Sequence, residues 1–234
     1  MKQPQDIARL AQIAMAVEPL PNKEGLTTRL VDKEDTLKLE YFIIAAINSG
    51  DAIRELMWRP QHTPSYDLLV RCVTENHLNR GGLRVNAGQV IMLWPILLTL
   101  RDYECNSIFD LGENVQKHLK DTRGIDVYNF QIAQQFSLSL WEGHEKHRKL
   151  INLEAETLYE YVSKTSEYFE KEIKYGFPSI FKMYKELNQE AAYTNEMERL
   201  WAVYKDMNFP DGHIADYMAI TIFLAMYFDD YKIR

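Results

Sequence analysis

The stretch VNAGQVIMLWPILLTL, residues 85–100, is the most apolar part of the chain and decides the fold class. A helix that crosses a bilayer needs about 20 predominantly apolar residues. This stretch is shorter and carries Asn86, Gln89 and Pro95. We therefore expect a buried helix at the centre of a globular protein and no membrane span. Pro95 removes an amide donor, so we expect the helix to kink or to end there.

The segments on either side of this stretch also have helical spacing. Apolar residues recur at three- and four-residue intervals, and no convincing alternating run indicates a strand. With only 10 glycines and 8 prolines in 234 residues, breaks are few. These features predict one all-α domain, residues 1–234, of nine to eleven helices. The expected helices cover residues 5–17, 37–48, 64–78, 85–100, 106–121, 126–149, 153–175, 178–189, 195–207 and 210–229.

Charge and cysteine content restrict the class of partner. The formal net charge of −7 argues against a nucleic-acid-binding protein, because phosphate backbones need a clustered basic face. A local basic pocket for one small phosphorylated ligand remains compatible with it. Cys72 and Cys105 are the only cysteines, which favours a reduced, cytoplasmic location. The beginning of the chain lacks the apolar run of a secretory signal.

The first candidate site is the segment EPLPNKEGLTTR, residues 18–29. Lys23 and Arg29 supply positive charge, and Gly25 allows close approach of the backbone. Lysine acts on a phosphate as a point charge and arginine as a two-pronged donor. The segment is therefore a candidate phosphate-binding loop. A solvated connection with ordinary surface charges is the competing interpretation.

The second candidate is RGGLRVNAG, residues 80–88, directly before the apolar helix. Free backbone amides and the helix dipole make a helix N-terminus attractive to anions. Arg84 would add positive charge, and Asn86 and Gly88 lie at the helix start. The competing interpretation is a flexible turn in which Asn86 caps the helix.

Several acidic or histidine-containing groups are candidate metal ligands. Asp229 and Asp230 follow the last apolar helix and offer the hard oxygen atoms that Mg²⁺ prefers. Each of these groups could equally be a solvated surface. An acidic helix offers a second group, which would suit a magnesium-dependent nucleotide pyrophosphatase: Glu156, Glu160, Glu167 and Glu170. A third group is the pair His144 and His147.

Residues 6–46 resemble the start of the triphosphoribosyl-dephospho-CoA synthase family of all-α enzymes. Glu18 stands where that family ends its first helix, the loop NKEGL follows, and Phe42 lies in the next helix. RVNAGQVIMLWPILLTL, residues 84–100, is similar to the family's N-T-N-x-G block and the apolar helix after it. TRGIDVYNFQIA, residues 122–133, is similar to another helix start of the family.

The resemblance implies transfer of a triphosphoribosyl group from ATP to dephospho-CoA, with adenine as the leaving base. It implies that Lys23, Gly25, Arg29, Arg84, Asn86 and Gly88 bind the nucleotide and phosphorylated substrate. Glu18 and Asp230 would be catalytic, and together with Asp229 they would hold Mg²⁺. A carboxylate near the ribosyl carbon would stabilise the positive charge that develops there.

The chain also departs from the family pattern. Prolines are missing beside Lys23, Arg84 replaces the first asparagine of the N-T-N block, and the late glycine-rich block is reduced to Asp229 and Asp230. An inactive member of the family therefore stays open as an interpretation. So do the magnesium-dependent pyrophosphatase and a non-catalytic all-α protein that binds partners or forms a homodimer through aromatic surfaces.

Overall fold

The computed structural model describes residues 2–33, 37–78, 85–139, 154–164, 168–206 and 211–233. Within these ranges the chain forms helices and no strand, apart from one isolated bridge between Arg123 and Thr157. The all-α prediction is confirmed. The helices are α1 (Pro4–Val17), α2 (Leu39–Trp58), α3 (Tyr66–Leu78), α4 (Ala87–Asp102), α5 (Ile108–Asp121), α6 (Ile125–Ser139), α7 (Leu158–Lys164), α8 (Tyr168–Lys174), α9 (Pro178–Glu186), α10 (Tyr193–Lys205) and α11 (Asp211–Phe228).

Helix α4 is the central element, as its sequence predicts. Every residue from Gln89 to Asp102 is buried, and the helix packs against α2, α3, α5, α6, α8 and α11. A helix that is apolar on all sides is stable only when neighbours cover all of it. Of the two outcomes expected at Pro95, a kink or an end of the helix, the end is wrong, since α4 continues for seven residues to Asp102. Burial by six neighbouring helices outweighs the single backbone hydrogen bond that proline removes.

Helices α1 and α11 pack against each other, with the start of α1 beside the end of α11. Lys2, just before α1, donates to Asp230 Oδ1, just after α11, over 2.5 Å. The residue after α1, Glu18, and Asp216 of α11 both contact the start of α4, at Gln89 and Gly88. Helix α11, like α4, is almost wholly buried and apolar between Ile214 and Tyr227. Within the described residues no helix is both long and apolar enough to span a bilayer.

The start of α3 differs from the prediction. The helix begins at Tyr66 and not at Pro64, because the backbone amides at its start are capped by a residue of another helix. Asp126 Oδ1, on α6, accepts hydrogen bonds from the backbone N–H groups of Ser65 and Tyr66, over 3.0 and 2.9 Å. A side-chain oxygen that satisfies these amides stabilises a helix start. The cap comes from 60 residues away, so no local pattern reveals it.

The single helix predicted over residues 153–175 is also wrong. Helices α7 and α8 occupy this region and pack against each other, which one continuous helix does not allow. The predicted end is right: Gly176 has a φ of 72°, a left-handed conformation that glycine adopts without strain. Helix α2 begins at Leu39 and runs ten residues beyond its predicted end, to Trp58.

Candidate functional site

Glu18 and Lys23 form a buried ion pair at the end of α1. The side chain of Lys23 is fully buried and that of Glu18 is 2% exposed. Lys23 Nζ donates to Glu18 Oε1 and also to the backbone oxygen of Glu18. The loop that follows α1 therefore folds back on the helix end. The ammonium group predicted to contact phosphate lies inside the protein, paired with Glu18.

Gln89, in the first turn of α4, joins this pair. Gln89 Nε2 donates to Glu18 Oε2 over 3.2 Å, so each oxygen of the Glu18 carboxylate has a donor. The side-chain oxygen of Gln89 is buried and has no hydrogen-bond partner among the described residues. The structure thus brings together Glu18 and the start of α4, which are 71 residues apart.

Asn86 precedes α4 in a left-handed conformation, with a φ of 59°. Asparagine tolerates this region better than most residues. Asn86 Nδ2 donates to the backbone oxygen of Phe42 over 3.1 Å, and its own side chain does not cap α4. Its Oδ1 is buried and lacks a hydrogen-bond partner in the described part of the chain. The first-turn amides of α4 are therefore not used by Asn86.

Asp216, in the second turn of α11, lies against Gly88. A Cβ atom added to Gly88 would come within 2.1 Å of Asp216 Oδ2. The carboxylate therefore occupies the space that any other side chain at position 88 would need. Sequence reasoning missed Asp216. The sequence does carry a signal for it: in the apolar run between His213 and Phe228, Asp216 is the only charged residue.

Further contacts hold the loop after α1 in place. The backbone N–H of Asn22 donates to Glu198 Oε1 over 2.9 Å, and Lys205 Nζ donates to Glu24 Oε2 over 2.9 Å. The hydrogen bond and charge of Lys205 lower the pKa of Glu24. The loop is thereby attached to α10, which carries both Glu198 and Lys205.

Tyr193 supports the end of α1 from the same helix. Its hydroxyl donates to the backbone oxygen of Val17 over 2.8 Å. Burial, and next the negative charge of Glu18, raise the pKa of Tyr193 well above its usual value. The phenol therefore stays protonated and keeps donating.

The remaining predicted nucleotide contacts differ in placement. Arg29 and Gly25 are exposed on the loop, and Gly25 has a φ of 85°, which favours glycine. Arg84 lies outside the described residues.

Asp229 and Asp230 lie elsewhere. Asp230 pairs with Lys2, just before the start of α1, whereas Glu18 follows the end of α1. The fourteen residues of α1 separate these two positions by about 21 Å. Asp229 Oδ2 accepts from Gln189 Nε2 over 2.6 Å. The structure does not bring Glu18 together with the two aspartates.

The other candidate metal ligands do not meet in the described residues. Glu160 Oε2 accepts from the backbone N–H of Glu156 over 3.0 Å, while Glu170 is buried and hydrogen-bonded to Gln134. No group of three potential ligands forms within the described ranges. Glu167, His144 and His147 lie outside them.

Comparison with known proteins identifies the family of the chain. A search of curated proteins and a search of solved structures gave no match. The family model CitG, described as ATP:dephospho-CoA triphosphoribosyl transferase, matches residues 4–216. This span runs from the first residue of α1 to Asp216, so it includes Glu18, Gly88 and Gln89. The resemblance seen in the sequence is confirmed: this chain belongs to the ATP:dephospho-CoA triphosphoribosyl transferase family.

Proposed function

We propose that this chain transfers a triphosphoribosyl group from ATP to dephospho-CoA at the start of α4. A hydroxyl of dephospho-CoA attacks the ribosyl carbon of ATP, the bond from that carbon to adenine breaks, and adenine leaves. One observation carries the proposal: α1, α4 and α11 each bring a polar group, Glu18, Gln89 and Asp216, to the same helix end.

The start of α4 supports binding of the triphosphate. Its first-turn amides are not capped by Asn86, and a helix N-terminus attracts negative charge through these amides and the helix dipole. Arg29 is exposed on the loop that covers the end of α1 and would pair with phosphate oxygens. Lys23 acts indirectly, since its ammonium group fixes Glu18 and the loop.

The carboxylates at this site suit the chemistry of ribosyl transfer. Positive charge develops on the ribosyl ring as the bond to adenine breaks. A fixed negative charge stabilises such a transition state best where water is excluded. Lys23 and Gln89 hold the Glu18 carboxylate in one orientation, so the dipole of this ion pair is set before substrate binds.

A resident Mg²⁺ does not fit the ligand set expected from the sequence. Both oxygens of Glu18 are engaged by protein donors, and Asp229 and Asp230 lie at the other end of α1. In nucleotide sites Mg²⁺ is commonly held by substrate phosphates with one or two carboxylates. Whether the reaction requires Mg²⁺ is therefore tested by comparing reactions with Mg²⁺ and with a chelator.

Ligand-dependent melting combined with product analysis tests the proposed function. A ligand at about 100 times its Kd stabilises a protein by roughly 2.7 kcal/mol, which a melting curve detects. We expect ATP to raise the melting temperature of the wild type and of Arg9→Ala, an exposed arginine on α1. The shift at the same ATP concentration is expected to be smaller for Arg29→Ala.

The reaction products separate a transferase from a pyrophosphatase and from a non-catalytic protein. With ATP and dephospho-CoA we expect free adenine, whereas a pyrophosphatase would release pyrophosphate and a non-catalytic protein neither. Each reaction is run with Mg²⁺ and with a chelator. Pyrophosphate without adenine, or no product under any condition, would refute the transferase.

A further inference from the structure

We propose that Asp216 is the catalytic base that accepts the proton of the attacking hydroxyl. The inference rests on the proposed function and adds a residue that the sequence did not suggest. It starts from the contact with Gly88, which places the Asp216 carboxylate at the first turn of α4. This is the helix end at which we place the ATP triphosphate.

The environments of Glu18 and Asp216 suit different roles. Glu18 is 2% exposed and both of its oxygens accept hydrogen bonds, from Lys23 and Gln89. A carboxylate that is buried and held in this way contributes a fixed dipole and is out of reach of a substrate hydroxyl. Asp216 is only partly buried and lies against Gly88 in the first turn of α4, so part of its side chain is open to a substrate bound there. It is therefore the carboxylate of the pair that is placed for proton transfer.

The space above Gly88 explains why the site has a glycine there. A methyl group at position 88 would overlap Asp216 Oδ2, at 2.1 Å, and Asp216 Cγ, at 2.9 Å. These atoms are at the far end of a side chain that can rotate. An alanine would thus push the carboxylate aside and leave the backbone of α4 in place.

The proposed step balances as follows. The oxygen of the acceptor hydroxyl forms a bond to the ribosyl carbon as the bond from that carbon to adenine breaks, and adenine leaves with the bonding electron pair. The hydroxyl proton passes to the carboxylate of Asp216. Asp216 then returns this proton to solvent or to the departing adenine. No oxidant or reductant is involved.

Asp216→Asn tests the role directly, with Asp51→Asn, a highly exposed position on α2, as the matched control. General bases contribute roughly 10²- to 10⁴-fold to rate. We expect kcat for adenine release to fall by about 100-fold or more in Asp216→Asn, with KM for ATP little changed. The fall in wild-type rate at acidic pH, which reports protonation of the base, is expected to be absent from the residual activity.

Gly88→Ala provides a second test that does not remove the carboxylate. Because only a rotatable group is displaced, we expect the melting temperature to stay within a few degrees of wild type while kcat falls at least tenfold. If the wild type releases adenine and either Asp216→Asn or a folded Gly88→Ala does so at the wild-type rate, the role of Asp216 is refuted. If the wild type releases no adenine, the proposed function fails, and this inference with it.

Discussion

Removal of the Lys23 ammonium group is the sharpest test of the site geometry. Lys23→Met keeps most of the buried stem and deletes the charge, leaving the Glu18 carboxylate in the interior with Gln89 as its one side-chain donor among the described residues. Loss of one partner from a buried ion pair costs about 3–5 kcal/mol, because the remaining charge stays uncompensated. For a domain of this size each kcal/mol lowers the melting temperature by roughly 2–4 °C. We therefore expect Lys23→Met to melt about 6–20 °C below wild type.

Thermal melting and urea denaturation measure this effect. Lys205→Met is the matched control, because Lys205 makes a comparable contact with the exposed Glu24, and exposed pairs contribute little. A second control is Lys23→Met combined with Glu18→Leu, which removes both charges and is expected to recover much of the lost stability.

A phosphate-binding lysine on the surface would behave in the opposite way. Its replacement would leave the stability of the free protein unchanged and weaken only ATP binding. If Lys23→Met melts within about 2 °C of wild type, less than the loss of even one kcal/mol would produce, the buried pair is wrong. The indirect role that we give to Lys23 would then be wrong as well.

Three further changes test the scaffold around the site. Burial lowers the pKa of His118 to about 4, so between pH 6.5 and 4 this imidazole is protonated in the unfolded chain and neutral in the folded one. As the pH decreases through this window, the free energy of unfolding falls by up to about 3 kcal/mol. His118→Gln is expected to remove this contribution in urea titrations. Asp126→Ala removes the cap of α3 and should lower the free energy of unfolding by about 1 kcal/mol in urea. Arg101→Met leaves Asp102 buried without its partner and should cost about 3–5 kcal/mol in the same assay.

Each of these results has a contradicting outcome. A wild-type pH slope unchanged in His118→Gln would place this imidazole in contact with solvent. No loss of stability in Asp126→Ala would mean that the α3 amides have another acceptor. For Arg101→Met, wild-type stability would show that the buried pair with Asp102 contributes nothing net.

Sequence patterns predicted the parts of the fold that local physics determines. Helix α4 is apolar on every side, so its central burial follows from its own residues. Gly176 and Pro178 mark the end of one helix and the start of the next, as their backbone preferences require. The start of α3 was displaced from Pro64 because its cap, Asp126, belongs to another helix.

The candidate site was predicted only in part, because some of its contacts join segments that are far apart in the chain. Glu18 and the start of α4 came from a resemblance between sequences, and the structure shows them in contact. Burial of Lys23 was not predicted, because a lysine in a polar loop ordinarily faces water. Asp216 was missed because its position beside Gly88 depends on the packing of α11 against α4, a contact between segments far apart in the chain.

The most direct test of the account is the mass of the product formed from dephospho-CoA and ATP. We predict that dephospho-CoA gains one triphosphoribosyl group and that one adenine is released for each molecule of product. The same stoichiometry is expected from Asp51→Asn, and a rate at least about 100-fold lower from Asp216→Asn. Unchanged dephospho-CoA, with ATP either intact or cleaved to pyrophosphate, would contradict the assignment of transferase activity to the start of α4.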